Sequence, residues 1–116
     1  MGRLTTHVLD TSAGHPAEGM RIELFRIGGE RCLLCEMVTN QDGRLDSPLL
    51  KDDDFVIGEY ELLFHAGEYF SRHHQSVQSP GFLDRVVIRF YVSEPSEHYH
   101  VPLLLSPFGY TTYRGS

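Results

Sequence analysis

No apolar run in this sequence approaches the ~18 residues that a membrane-crossing helix requires, so no helical span is predicted. There is no block of like charges and no basic stripe. The formal charge of −6 therefore argues against a nucleic-acid surface, which needs clustered Lys and Arg. The opening MGRLTTHVLD lacks the apolar core of a signal peptide, so a mature, cytoplasmic chain is expected. Met1-Gly2 begins a myristoylation pattern that only position 6 continues, in a stretch that reads as strand, and no acyl anchor is expected. The final RGS is not the SKL-type peroxisomal address. No repeat, low-complexity tract or linker interrupts the 116 residues, a length suited to one domain over 1–116 that buries a core without staples. Catalytic signatures are scarce as well, with neither a GxSxG elbow nor an HExxH pair.

Cysteine is nearly absent, and its two copies fall together in CLLC at Cys32 and Cys35. The surrounding ERCLLCEMV reads as a strand, in which residues three apart face opposite ways. The two thiols are therefore expected to lie apart, as small buried apolar groups rather than a redox or metal pair.

What is present is alternation. Turn signals recur at Ala13-Gly14, Gly28-Gly29, Asp42-Gly43, Ser79-Pro80-Gly81, Pro107 and Gly109, with short period-two stretches between them. Met20, Ile22 and Leu24 share a face against Arg21 and Glu23. Tyr60, Leu62 and Phe64 alternate with Glu59 and Glu61, and Val86, Ile88, Phe90 and Val92 with Arg85, Arg89 and Tyr91. Only AGEYFSRHH, residues 66–74, reads as a short helix, and 75–83 reads as loop. The pattern predicts an all-β fold, a two-sheet sandwich or a barrel.

The two terminal strands carry an anomaly. In HYHVPLLLSPFGYTTYRGS the odd positions Tyr99, Val101, Leu103 and Leu105 are apolar and suit a core. The other face bears His98, His100, Pro102, Leu104 and Ser106. Near the start, Leu4, Thr6 and Val8 suit the core, and His7 stands opposite with Thr5 and Leu9. Histidine beside leucine on an outward face suggests a surface covered by another subunit.

Histidine is the side chain fitted to proton transfer near neutrality. His98 and His100 share a face roughly 6–7 Å apart by strand rise, and His7 joins them if its strand packs alongside. Three imidazoles also invite a catalytic zinc, which the lack of any further spaced ligand set leaves as an alternative. Arg44, after Asp42-Gly43, would hold a planar, oxygen-rich substrate if it faced the histidines. Arg114 and the Ser116 carboxylate would close the same site. His15, His65, His73 and His74 are read as structural.

LTTHVLDTSAGHPA at one end, HYHVPLLLSPFGYTTYRGS at the other and GRL at 43–45 between them resemble the 5-hydroxyisourate hydrolases, the transthyretin-related enzymes of urate breakdown. The resemblance implies an all-β transthyretin-like sandwich of two sheets with one short helix, forming a single hydrolase domain over 1–116. It also implies a homotetramer whose sites lie where dimers meet. Its activity would be hydrolysis of 5-hydroxyisourate to 2-oxo-4-hydroxy-4-carboxy-5-ureidoimidazoline, with no metal or organic cofactor. Carried over by motif, His7, Arg44, His100 and Ser116 would be catalytic. Tyr113, Arg114 and Gly115 of the terminal tetrapeptide would bind substrate, with His98 in support. Thr111 replaces a common Ser and keeps the hydroxyl. The alternative within the same fold is a non-catalytic transthyretin-like carrier that holds a small aromatic ligand in the tetramer channel.

Overall fold

The described residues form nine strands, and the apolar sides of the period-two ones meet between two sheets. The structure, a computed structural model, describes residues 2–73 and 81–115. His74, the Ser79-Pro80 part of the turn signal and Ser116 lie outside the described residues.

One sheet contains β1 (Arg3–Asp10), β2 (His15–Pro16), β5 (Leu50–Lys51), β8 (Tyr99–Leu105) and β9 (Tyr110–Thr112) in the order β2-β1-β8-β9, with β5 also paired to β1. The other runs β4-β3-β6-β7, from β3 (Arg21–Gly28), β4 (Glu30–Val38), β6 (Gly58–Phe64) and β7 (Val86–Val92). A short helix α1 (Ala66–His73) buries Ala66, Tyr69 and Phe70. A 3-10 turn at Asp52–Asp54, which the alternation gave no sign of, links β5 to β6.

Strand parity holds where it matters for the site. Leu4, Val8, Leu103 and Leu105 from the first sheet and Ile22, Leu24, Leu62 and Phe64 from the second are fully buried in one core. Burying an aliphatic or aromatic side chain of this size stabilises the fold by about 1.5–3 kcal/mol. This clamps β1 and β8 in place as neighbours. They run parallel, with Thr5 opposite His100 and His7 opposite Pro102. The register puts both histidines on the face that points away from the core.

The CLLC segment departs from the expectation. The register of β3 with β4 pairs Leu24 with Cys35 but Phe25 with Leu33, so Leu34 is an extra residue in a β-bulge. An extra residue reverses the alternation. Cys32 and Cys35 therefore share a face by register instead of opposing one another. Nor are they both buried: Cys32 is exposed and Cys35 half-buried, and both are free thiols. Glu61, an outward position of β6, is also unusual in being 3% exposed. Arg31 and Arg89 each bond its carboxylate, at 2.7 and 2.9 Å. Burial works to raise its pKa, but the two guanidinium groups prevail and hold it below the usual carboxylate range.

Candidate active site

Four neighbouring chain segments build the outward face of the first sheet. In the middle is β1, with Thr5 and His7. On one side is β8, with His100. The segment between β4 and β5 runs along the other edge of β1, where Val8 N donates to Gly43 O at 2.8 Å and Leu49 N to Leu4 O at 2.8 Å. The tail lies past β8, where Gly115 N donates to His100 O at 2.7 Å.

The turn that delivers Arg44 is held by Asn40. Its Oδ1 accepts from Asp42 N at 2.9 Å and from Arg44 N at 3.2 Å, while its Nδ2 donates to Asp46 Oδ1 at 3.0 Å. A side chain bonding its own backbone two residues on is the usual way an Asn nucleates a turn. Gly43 has φ +75°, and a Cβ there would stand 2.3 Å from Val8 O, so both conformation and space require glycine. The result is an antiparallel bridge between Arg44 and His7.

His7 Nε2–H donates to Asp42 O at 2.9 Å. A carbonyl only accepts, so the neutral ring carries its lone pair on Nδ1. His100 is held the other way round, its Nδ1 at 2.8 Å from Thr5 Oγ1, which leaves Nε2 as its open nitrogen. Both imidazoles have a pKa below the ordinary 6.5. Burial is the main cause for each and the Arg44 cation the second; His7 further lowers His100. The rings are thus kept neutral near pH 7, the form that accepts a proton.

A cavity of about 620 Å³ opens here, within the size range of small-molecule sites. His98, His100, Arg44, Tyr113 and Gly115 line it, as do Thr5 and Asp46. The structure therefore brings together five of the residues singled out in the sequence. His7 does not line the cavity itself, but it is paired with Arg44 and close enough to His100 to disfavour its charge.

Arg114 is not brought to this cavity. Its guanidinium lies over the Tyr99 ring at 3.9 Å and donates to Glu97 Oε1 at 3.0 Å and His98 O at 3.2 Å. It borders a second, apolar cleft of about 300 Å³ between β7 and β9. Ser116 lies outside the described residues. Thr5, Asn40 and Asp46 were missed in the sequence. The Asn-x-Asp-Gly run carried a signal for Asn40, since such runs make side-chain-capped turns. For Thr5 the signal appears only once β1 and β8 are known to be parallel neighbours. Of the histidines read as structural, His65 is buried, with Nε2 donating to Glu23 Oε1 at 2.7 Å, and His73 stacks on Tyr69. Among the described residues no three His, Cys, Asp or Glu side chains converge as a metal site.

Residues 4–115 match the model of the HIUase/Transthyretin family. The 5-hydroxyisourate hydrolase 2 of Rhizobium meliloti is 53% identical over an alignment 116 residues long, covering 99% of this chain and 97% of that protein. Among solved structures, the 5-hydroxyisourate hydrolase of Klebsiella pneumoniae is similar with a TM-score of 0.84 and 36% identity, covering 100% of both chains. Sea bream transthyretin in complex with thyroxine is similar with a TM-score of 0.88 and 27% identity, covering 97% of this chain and 94% of that one.

Proposed function

The chain belongs to the HIUase/transthyretin family, and from that premise we propose that it hydrolyses 5-hydroxyisourate as a single enzymatic domain over residues 1–116. The observation that carries this reading is the convergence of Arg44, His7 and His100 on one face from three separate chain segments. Water adds to a ring carbonyl of the substrate while a neutral imidazole takes its proton. The negative charge that develops on the carbonyl oxygen is met by the Arg44 guanidinium. The carbon–nitrogen bond of the lactam then breaks, and the departing nitrogen receives a proton from the imidazolium. Atoms balance with water as the sole co-reactant. His98 and Tyr113 border the substrate space, and Ser116, carried over from the family motif, assists water or a histidine.

Four copies assemble so that this face is covered and His7 is enclosed with the cavity. The enzyme works in the cytoplasm on a small-molecule substrate. The carrier reading has the fold in its favour, since a thyroxine-bound transthyretin shares it. A carrier has no use for two imidazoles held neutral beside an arginine. Generating 5-hydroxyisourate with uricase and following its ultraviolet decay separates the two. Decay accelerated in proportion to added protein is expected. Decay at the spontaneous rate, with the compound retained by the protein, would establish the carrier instead.

A further inference from the structure

We propose that Thr5 and Gly115 are positioning residues for His100: the Thr5 hydroxyl holds the imidazole through each of its protonation states, and the bare Cα of Gly115 fixes the plane of its ring. The proposal rests on the hydrolytic reading above and adds to it how the proton-transfer group is aimed.

Thr5 reaches His100 because β1 and β8 are parallel and in a register that sets the two residues side by side. Its Oγ1 stands 2.8 Å from Nδ1. A hydroxyl is both donor and acceptor. When Nδ1 carries a proton, as it does when Nε2 is basic or when the ring is an imidazolium, Nδ1–H donates to Oγ1. When the neutral ring is protonated on Nε2 instead, Oγ1–H donates to Nδ1. The bond therefore survives a full cycle in which Nε2 takes and returns a proton. A carboxylate at this position would favour the imidazolium and raise the pKa. A hydroxyl orients the ring without adding charge.

On the other edge of β8, the tail forms an isolated antiparallel bridge between His100 and Gly115. A Cβ at position 115 would lie 2.7 Å from His100 Cδ2, closer than any ordinary contact, and 3.3 Å from Cγ, where contact is already tight. The ring is thus flanked by the hydroxyl and by the glycine backbone, with room for no side chain there. The charged and titratable groups around it are His7 and Arg3 on β1, Arg44 and Asp46 from the segment before β5, and His98 and Tyr113. None of these bonds Nδ1. Thr5 alone, among the described residues, does so.

Four variants of the full-length protein test this: Thr5→Val, Thr5→Ser, Thr5→Asp and Gly115→Ala. For each, kcat and KM are measured across pH, and the tautomer and titration of His100 are read by ¹⁵N NMR of the ring. Thr5→Val keeps the shape and loses the hydroxyl. Its kcat should fall about 10–100-fold, the usual cost of removing a group that orients a catalytic one, with KM little changed. Thr5→Ser should restore most of the loss. Thr5→Asp should move the His100 titration and the acid limb of kcat/KM together to higher pH. Gly115→Ala should lower kcat and shift the His100 ring signals. A Thr5→Val enzyme with wild-type kcat and pH profile, or a Thr5→Asp protein whose His100 titrates as in the wild type, would overturn the proposal. If the wild-type protein left 5-hydroxyisourate untouched, the hydrolytic reading would fail, and the His100 titrations would still decide the positioning.

Discussion

His7, His100 and Arg44 are chemically interdependent, and the dependence has a sign. Burial first and the Arg44 cation second push both imidazoles below 6.5. An imidazole must be neutral to accept the proton of water, so the acid limb of kcat/KM should fall below pH 6.5. Arg44→Gln removes the second of these causes and leaves burial, so the limb should move upward towards the ordinary value. The same substitution should lower kcat about 10²–10³-fold, the usual loss for an oxyanion-binding donor. An Arg44→Gln enzyme whose limb stays in place would break the link between guanidinium and imidazoles. Replacing His100 by Asn should lower turnover about 10²–10⁴-fold with the fold intact, as for other proton-transfer groups. Stability should follow the same chemistry. Below 6.5 the unfolded chain takes up protons before these folded histidines do, so their effect is to weaken the fold as pH falls towards their lowered values. An acid titration of thermal stability compared with a His7→Asn, His100→Asn double variant isolates this share.

At the scale of elements, the site depends on a turn as much as on strands. Gly43 combines a left-handed φ of +75° with a backbone contact that admits no Cβ, and Arg44 follows it directly. Gly43→Ala should cost about 1–3 kcal/mol of stability, read by denaturant unfolding, and should lower activity by more than the unfolded fraction accounts for. Wild-type activity in that variant would show that the turn does not place Arg44. The strands around it were legible for a simple reason. β1, β7 and β8 each turn one face to a common core, so apolar residues recur every second position. β4 was not legible in the same way. The bulge at Leu34 inserts a residue, and no local signal in CLLC announces a register that only pairing with β3 defines. The site was readable to the same extent. His7, His98 and His100 stood out because imidazoles interrupt an otherwise leucine-rich face. Thr5 looked ordinary, since its role exists only across a parallel pairing between residues 95 positions apart. Arg114 looked like a site residue by its place in the motif, but cation–π contact with Tyr99 and a bond to Glu97 turn it to the other cleft.

For the whole molecule, the question is what covers the outward face of β1 and β8. Leu9 and Leu104 lie on it half-buried, and the turn that follows β8 leaves Phe108 76% exposed. Phe82, at 74%, packs against Phe108 with ring centroids 6.2 Å apart. A half-buried leucine face with exposed aromatic rings at its end indicates an assembly surface more than a solvated one. Four chains of 13.2 kDa should therefore travel together at about 53 kDa in light scattering. Leu104→Asp tests whether that assembly and the activity share a cause. Leu104 leaves the core side of β8 to Leu103 and Leu105, so an aspartate there should leave the sandwich folded, as judged by far-ultraviolet circular dichroism. Within an interface the same carboxylate would be buried without a partner, at a cost of about 3–5 kcal/mol. The variant should run as smaller species and lose most of its turnover, because His7 and the open side of the cavity would then face water. A wild-type protein that scatters as a monomer would remove the covered face. A dissociated Leu104→Asp variant that still turned over at the wild-type rate would place the complete site within one chain.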